Sequence, residues 1–292
     1  MFVATIVASA SLGQGDIDEA ADRVRATGAI VTGQAVLEPG KAADIFFEGD
    51  AATVRTTLQL IGSGLDIIVQ PSAAREKKLI VADMDSTMIT IECIDELADY
   101  AGIKTQIAEV TERAMRGELD FAEALRARVE LLKGLDEAMI DRCRAERVQI
   151  MPGAKALVQT MRARGSHAVL VSGGFTRFAE PVGAEIGFHK IVANILEISG
   201  GRLAGTVTDP IVDSVRKQHE LEGAMAARAI AQPYTLAVGD GANDIPMLRA
   251  AGLGVAYHAK EKARAAADAE IRHGDLSILL YAQGIKRAQW TA

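Results

Sequence analysis

Cysteine is scarce in this sequence, because the 292 residues include only Cys93 and Cys143. Two cysteines in a chain of this length provide neither a disulfide framework nor a zinc cluster, so a reducing cytoplasm is the expected compartment. The first residues, MFVATIVASASLG, lack the positively charged start of a secretory signal and precede an acidic, helix-like segment. We therefore expect a cytoplasmic protein without a signal peptide.

Long apolar runs and long basic runs are also absent from the sequence. No apolar run reaches the roughly 18 residues that cross a bilayer. The formal net charge of -7 argues against a nucleic-acid partner, and the lack of a basic run argues against a membrane surface. Aromatic residues make up only 4% of a chain that is 49% hydrophobic, so Ala, Val, Ile and Leu must build the core. These features predict an ordinary globular protein of one large or two unequal domains.

Residues 1–72 alternate in the order strand, helix, strand, strand, helix, strand, from FVATIVA to LDIIVQP. This is the order of a small ferredoxin-like α+β domain, and it resembles the ACT-type amino-acid-binding modules in element order. Because element order does not establish function, a docking or dimerisation domain is the simpler interpretation, and a homodimer is a hypothesis. The polar, charged residues 73–78 are typical of a linker.

Residues 79–292 alternate between β and α patterns, which predicts a doubly wound, Rossmann-like parallel sheet. The run LIVA is typical of a strand that is buried on both faces. From about residue 90 to 150 the pattern is helical throughout, with Gly102, Gly117 and Gly134 as predicted C-terminal caps. Four helices exceed what a simple crossover needs, so we predict an inserted helical cap. Further on, NILEISGGRLAGTVTD predicts a β-hairpin, and a helical tail is predicted after LGVAY.

Polar groups end three of the predicted apolar strands, in the segments Asp83-Met84-Asp85, Ser172-Gly173-Gly174 and Asp240-Gly241-Ala242-Asn243-Asp244. Taken singly, each has a simpler interpretation, as a helix N-cap or as a turn. Neighbouring parallel strands, however, would bring four carboxylates, a hydroxyl group and several backbone amides to one edge of the sheet. Like charges so close together are unfavourable unless a cation offsets them, and oxygen ligands suit Mg²⁺.

The three segments together resemble the motifs of haloacid dehalogenase-type phosphatases, and more narrowly those of phosphoserine phosphatases. The resemblance rests on DMDST, VSGGF and GDGAND and extends from about Leu79 to Lys260. It implies an Mg²⁺-dependent phosphatase that acts on a small-molecule substrate. The implied reaction hydrolyses O-phospho-L-serine to L-serine and phosphate through an aspartyl-phosphate intermediate, as the last step of serine biosynthesis.

The resemblance also implies roles for the acidic residues. Asp83 would be the nucleophile, and Asp85 would act first as general acid and then as general base. The Mg²⁺ ion would be bound by the Asp83 and Asp240 carboxylates and by the Asp85 backbone carbonyl. Asp244 would orient these ligands or a water molecule rather than bind the metal.

For the phosphoryl group, the resemblance implies contacts from Ser172, from the Gly173 amide and from Lys217. Arg216 is adjacent to this lysine, so an error of one residue in the match would exchange the two. From the residues alone, Lys217 is simply a solvated charge on a helix. The resemblance is therefore the only basis for its assignment at this point.

For the amino-acid head group, the resemblance implies that Glu92 meets the ammonium and that Arg128 meets the carboxylate, for which a guanidinium group is well suited. Asn243 would lie within reach of the substrate, and Met115 and Phe121 would supply an apolar wall. Without the resemblance, Glu92 is an acid in a first helical turn and Arg128 is a surface charge.

Two alternatives stay open. The first keeps the chemistry and replaces the substrate by another small phosphomonoester. The second is a catalytically silent amino-acid sensor, in which the N-terminal domain binds the ligand and the phosphatase core is inactive.

Overall fold

The computed structural model describes residues 1–61 and 64–291, apart from the side chain of Met115. An antiparallel sheet forms the N-terminal part, with the strand order β2-β3-β1-β4. Its elements are β1 (Phe2–Ala8), α1 (Gln14–Ala26), β2 (Ile30–Glu38), β3 (Ala42–Glu48), α2 (Ala51–Leu58) and β4 (Leu65–Pro71). The two helices bury a core of their own against this sheet. The order of elements and of strands confirms the ferredoxin-like prediction.

The predicted linker packs against both parts of the molecule. Arg75 donates hydrogen bonds to Asp44 in the N-terminal sheet, at 2.8 and 3.0 Å, and to the carbonyl oxygen of Ala282 near the C-terminus, at 3.2 Å. Lys77 is buried, and its ammonium group donates to the Pro233 carbonyl oxygen at 2.9 Å. The segment is irregular, as a linker should be, but its charged side chains are fixed by tertiary contacts. The division of the chain at residues 72 and 79 stays a prediction.

A six-stranded parallel sheet forms the second part, in the order β12-β11-β10-β5-β6-β7. Its strands are β5 (Leu79–Ala82), β6 (His167–Phe175), β7 (Lys190–Asn194), β10 (Thr235–Gly239), β11 (Leu253–Tyr257) and β12 (Ala269–Ile271). Alternate residues of β5 enter separate apolar clusters on the two faces of the sheet. Burial on both faces explains the continuous apolar run, and the doubly wound prediction is confirmed.

Helices cover this parallel sheet on both faces. They are α7 (Ala154–Ala163), α8 (Thr176–Ile186), α9 (Ser214–Arg228), α10 (Ile245–Ala250), α11 (Glu261–Ala266) and α12 (Ile278–Ala282). Among the helices that the structure describes, none is both long and apolar enough to cross a membrane.

The predicted cap consists of four helices between β5 and α7: α3 (Cys93–Ala101), α4 (Lys104–Met115), α5 (Phe121–Leu131) and α6 (Ala138–Arg147). Gly102, Gly117 and Gly134 all have positive φ angles, of 69°, 78° and 84°. This left-handed conformation, which glycine adopts without a steric cost, ends α3 at Gly102 and follows the last residues of α4 at Gly117, as the sequence predicts. Gly134 lies three residues beyond the end of α5, whose C-cap is Leu132, so it belongs to the turn and does not cap the helix.

The predicted hairpin consists of β8 (Leu196–Ser199) and β9 (Arg202–Val207). The hairpin also contacts the cap, because the α5–α6 connection pairs with β9. The Gly134 N–H donates to the Leu203 carbonyl oxygen, and the Leu203 N–H donates to the Leu135 carbonyl oxygen, both at 2.9 Å. One end of the cap is therefore anchored to the hairpin.

Two strands of the parallel sheet were not predicted. β7 is a short apolar run that continues directly into the hairpin sequence, so no turn signal separates the two. β12 has only three residues, with Glu270 in the middle, and the helical-tail prediction is wrong there. A strand of three residues is too short for a period to be recognised, so the pairing of β12 with β11 determines it. β7 is no shorter than β5 or β10, and the missing boundary signal is what hides it.

Candidate active site

Three neighbouring strands of the parallel sheet carry the predicted polar residues at their carboxyl ends. Asp240 follows β10, Asp83 follows β5, and Ser172 lies near the end of β6. The Asp83 N–H donates to the carbonyl oxygen of Val238 at 3.0 Å, which joins β5 to β10 where their ladder ends. The chain passes from β5 to β6 on one side and later to β10 on the other. This edge is therefore the topological switch point, where α/β sheets bind ligands.

The ammonium group of Lys217 lies between two carboxylates at this edge. Its Nζ is 2.7 Å from Asp83 Oδ1 and 2.7 Å from Asp244 Oδ1, and the side chain is fully buried. Burial alone would lower the pKa of Lys217, but the charges of Asp244 and Asp83 outweigh it and raise the pKa. Arg216 pairs instead with Glu220, at 2.7 Å. The structure therefore places the lysine, rather than the adjacent arginine, beside Asp83.

Asp83, Asp240 and Asp244 form an acidic cluster in which one carboxylate oxygen of each lies within 4.8 Å of the others. Burial, and then the charge of Asp244, raises the pKa of Asp83 well above its ordinary value. The same two causes raise the pKa of Asp240 to about 6. Three carboxylates against the ammonium of Lys217 leave an excess of negative charge, so the cluster fits a hard, oxygen-binding cation.

The three members of the cluster are not equally free to bind a cation. Asp244 accepts from Lys217 through Oδ1 and from the Gly241 N–H through Oδ2, at 3.0 Å. Asp83 accepts from Lys217 and from the Met84 N–H through Oδ1 alone. Both oxygens of Asp244 are thus engaged by the protein, which favours Asp83 as a ligand and Asp244 as a support.

The carboxylate of Asp85 lies beside Gly174 in the β6 segment. A Cβ atom at Gly174 would come within 2.7 Å of Asp85 Oδ2 and within 3.0 Å of Ser172 Oγ, so glycine is needed for this approach. Burial, and then the charge of Glu92, raises the pKa of Asp85 to about 7. Its carboxyl group can therefore hold a proton near neutral pH, as a general acid must.

Ser172, Gly173 and Gly174 form a bulge in β6, because regular pairing with β7 stops at Val171 and resumes at Phe175. The Gly174 N–H donates to Ser172 Oγ at 2.9 Å. Since a hydroxyl group that accepts one hydrogen bond can still donate its own proton, the Ser172 hydroxyl remains able to bind an anion. The bulge thus offers a hydroxyl and backbone amides at the same edge as the acidic cluster.

Helix α5 of the cap lies over this bulge. A Cβ atom at Gly173 would be 3.0 Å from Phe121 Cζ, so the phenyl ring is in contact with the backbone there. Arg128, on the same helix, is half-buried, and its Nε donates to the Ala124 carbonyl oxygen at 3.2 Å. Burial lowers the pKa of Arg128, although Asp95 and other acidic groups oppose this. No carboxylate in the described ranges lies within 4.0 Å of its guanidinium group, which leaves donors for a ligand.

Glu92 and Asn243 approach the site from two further elements. Glu92 directly precedes α3, and its Oε1 accepts from Ser86 Oγ at 2.7 Å, but its side chain does not cap the helix. Asn243 lies in the short turn Ala242–Asp244, and its side-chain amide lies over Gly241. The predicted contribution of Met115 to the apolar wall lies outside the described residues.

One buried polar residue at this edge, Asn194, was not predicted from the sequence. Asn194 ends β7, and its side-chain amide bonds to the backbone on either side. An asparagine at the end of an apolar run was the available signal, but the strand itself had not been recognised.

Comparison with known proteins places this site in a family. The sequence profile of the haloacid dehalogenase-like hydrolases matches residues 80–249, more than half of the chain. The chain belongs to the haloacid dehalogenase-like hydrolase family.

Among hydrolases of this family, a phosphoserine phosphatase of Albidiferax ferrireducens is 45% identical over 72% of this chain and 91% of its own length. A phosphoserine phosphatase of Streptomyces coelicolor is 43% identical over 81% of this chain but only 58% of its own length. The chain therefore spans little more than half of the Streptomyces protein.

Solved structures of haloacid dehalogenase-like hydrolases extend the likeness to the whole fold. A probable phosphoserine phosphatase from Vibrio cholerae, in unliganded form, has a TM-score of 0.79 at 34% identity and covers 98% of this chain and 88% of its own. A phospho-aspartyl intermediate analogue of a phosphoserine phosphatase has a TM-score of 0.66 at 36% identity, over 70% of this chain and 98% of its own. The first match includes the N-terminal sheet, and the second covers less of this chain.

Proposed function

We propose that this protein is an Mg²⁺-dependent phosphatase that hydrolyses O-phospho-L-serine to L-serine and phosphate, as the last step of serine biosynthesis. The observation that carries the proposal is the contact between Asp83 and the buried Lys217, within an acidic cluster that has Asp85 beside it. The similarity to proteins that are phosphoserine phosphatases supports the substrate.

In the proposed mechanism, Asp83 attacks phosphorus in line and forms an aspartyl-phosphate. Asp85 donates its proton to the departing serine oxygen, and the raised pKa of about 7 supports this role. The same carboxylate then takes a proton from the water molecule that hydrolyses the intermediate. The similar phosphoserine phosphatase that was solved as a phospho-aspartyl intermediate analogue supports this two-step route.

The Asp83 and Asp240 carboxylates and the Asp85 backbone carbonyl would hold Mg²⁺, with Asp244 orienting the ligands. The excess negative charge of the acidic cluster supports a divalent cation there. When bound, the ion would offset the repulsion between the anionic nucleophile and the anionic phosphate.

Ser172, the Gly173 amide and Lys217 would bind the phosphoryl oxygens. Phosphoryl transfer depends mainly on positioning and on the stabilisation of charge, which a fixed hydroxyl, a backbone amide and a buried ammonium group supply. The bulge in β6 and the ion pair of Lys217 with Asp83 support this assignment.

Glu92 would bind the ammonium of phosphoserine and Arg128 its carboxylate, with Asn243 in reach of the substrate and Phe121 as an apolar wall. The half-buried guanidinium group of Arg128 and the contact of Phe121 with Gly173 support a closed cap over the substrate. Cap opening would admit the substrate and closure would exclude water.

The first experiment measures phosphate release from O-phospho-L-serine, O-phospho-L-threonine and phosphoethanolamine by the purified protein, with Mg²⁺ and with a chelator. We expect metal-dependent activity that prefers phosphoserine and is abolished in Asp83→Asn. Equal activity on phosphoethanolamine, which lacks the carboxylate, would contradict the role of Arg128 but leave the phosphatase. If the folded, metal-loaded protein releases no phosphate from any of these substrates, the alternative function as an amino-acid sensor would be favoured.

A matched pair of variants isolates the contribution of the cap. Arg128→Met should raise the KM for phosphoserine at least about tenfold, because the substrate carboxylate loses the guanidinium group that binds it. The KM for phosphoethanolamine, which has no carboxylate, should not change. Arg126→Met, on the same helix, removes only an exposed pair with Asp209 and should change neither. Equal effects of the two variants would refute the assignment.

We also propose that residues 1–72 form an ACT-like domain, 73–78 a linker and 79–292 the phosphatase domain, with the cap at about 90–150. A homodimer is proposed for the whole chain, and light scattering tests it. A cytoplasmic location stays a prediction.

A further inference from the structure

Asn194 joins two backbone segments near the candidate site, one in β6 and the other directly before α9. Its Nδ2 donates to the carbonyl oxygen of Gly173 at 2.8 Å, and its Oδ1 accepts from the Val212 N–H at 2.8 Å. The residue is only 1% exposed, so no solvent replaces these bonds. Both ends of the amide are thus used, each on a backbone group, one in the β6 segment and one just before α9.

The first bond compensates for the bulge in β6. Because the bulge takes Gly173 out of the ladder with β7, its carbonyl oxygen has lost a strand partner, and the Asn194 amide replaces it. This carbonyl shares a peptide unit with the Gly174 N–H, which donates to Ser172 Oγ. Holding the carbonyl therefore fixes the plane of the peptide and, with it, the orientation of the Ser172 hydroxyl group.

The second bond acts on the helix that carries Lys217. Val212 directly precedes Asp213, whose carboxylate accepts from the Arg216 N–H at 2.8 Å and caps α9. Lys217 follows in the first turn of this helix, where its ammonium group reaches Asp83. Fixing the Val212 N–H thus fixes the point at which α9 begins.

We propose that Asn194 is a positioning residue that holds Ser172 and Lys217 in register with each other, so that both meet one phosphoryl group. The inference rests on the proposed function, because it assumes that these two residues bind phosphate. Asn194 itself contacts neither the substrate nor the reacting atoms. It acts through the two backbone segments, and a displacement of either segment weakens the grip on phosphate.

Asn194→Leu removes both bonds while keeping the number and branching of the side-chain heavy atoms. Gln283→Met is the matched control: Gln283 is 4% exposed, and its amide also joins two backbone groups, the Lys77 N–H at 3.0 Å and the Leu279 carbonyl oxygen at 2.9 Å. Gln283 lies away from the carboxyl ends of the strands. Both variants lose a buried amide of the same kind, so both should lower the melting temperature.

The test measures the binding of inorganic phosphate to the full chain by calorimetry with Mg²⁺ present, together with kcat and KM for phosphoserine. In Asn194→Leu we expect phosphate affinity to fall about tenfold or more and kcat/KM to fall with it, whereas Gln283→Met keeps wild-type values. Wild-type phosphate affinity in folded Asn194→Leu, or an equal loss in Gln283→Met, would overturn the inference.

Two further results are informative. If Asn194→Leu does not fold, Asn194→Ser replaces it, because the smaller side chain leaves room for a water molecule. This variant should also lose phosphate affinity, but by a smaller factor. Unchanged phosphate affinity would again overturn the inference. If the wild type binds phosphate but hydrolyses no phosphoserine, the proposed function fails. A loss of phosphate binding in the variant would then still support the role of Asn194.

Discussion

The charge balance of the site depends on Lys217, whose ammonium group is buried. Without it, the buried carboxylates of Asp83 and Asp244 would both lose the ammonium group with which they pair. Removing one partner from a buried ion pair is costly, because it leaves the other charge unsolvated. The same residue is thus expected to support both the fold and the chemistry.

We predict that Lys217→Met lowers the free energy of unfolding by about 3 kcal/mol in metal-free protein, as for other broken buried pairs. Lys155→Met is the control, because Lys155 pairs with Glu185 on the surface and should cost less than about 1 kcal/mol. Urea unfolding of both variants provides the measurement. Equal stability of the two variants would show that the buried pair contributes no more than the exposed one.

Residue identity alone predicted some members of the site and not others. Asp83, Ser172 and Asp240 could be located because each ends a recognisable apolar strand. The choice of Lys217 over Arg216 depends on burial, which adjacent helical residues do not reveal. Asn194 was not predicted because β7, the strand that it ends, has no turn signal after it. Its partners are backbone atoms of Gly173 and Val212, which only the fold brings together.

Among the elements, α9 determines how accurately the lysine is placed. Asp213 caps the N-terminus of this helix, one turn before Lys217. Gly223 lies in the second half of the helix, and a Cβ atom added there would meet no heavy atom within 4 Å. The cap and the glycine thus affect the stability of the same helix in opposite ways, and only the cap adjoins the site.

We predict that Asp213→Ala destabilises the protein by about 1 kcal/mol, through loss of the cap, and lowers kcat. Gly223→Ala should stabilise it by about 1 kcal/mol, because alanine has the higher helix propensity, and should leave kcat unchanged. Thermal unfolding and phosphoserine hydrolysis measure both. An unchanged kcat in Asp213→Ala would argue that the start of α9 does not control the lysine.

Whether an element could be predicted depended mainly on the signals at its boundaries. The four cap helices were predicted because their pattern is helical throughout and glycines follow three of their segments. β7 was missed because no turn signal separates it from the hairpin, and β12 because its three residues are too few for a period. Each pairs with a longer neighbouring strand. The sheet as a whole was still predicted correctly, because its central strands are the apolar ones.

At the scale of the whole molecule, the N-terminal sheet is fixed to the parallel sheet by buried polar contacts. The Asp66 carboxylate accepts from the backbone N–H groups of residues 272–274, at 2.6 to 3.2 Å. Gln70 donates to the Ala282 carbonyl oxygen at 2.7 Å, and Arg75 bridges Asp44 to the same carbonyl. A linker prediction from composition could not foresee this, because the partners of its charges lie between 31 and 207 residues away in the chain.

These contacts predict that the two parts unfold together. Arg75→Met leaves the Asp44 carboxylate, which is 1% exposed, without its cation, and should cost about 3 kcal/mol. We expect one calorimetric transition for the wild type and two for the variant, with the N-terminal part melting first.

Arg23→Met, which removes an exposed pair with Glu19 within α1, is the control and should keep one transition. Below the first transition, Arg75→Met should hydrolyse phosphoserine at the wild-type rate, because no residue of the candidate site lies in the N-terminal sheet. A single transition at the wild-type temperature would mean that the interface contributes little to stability.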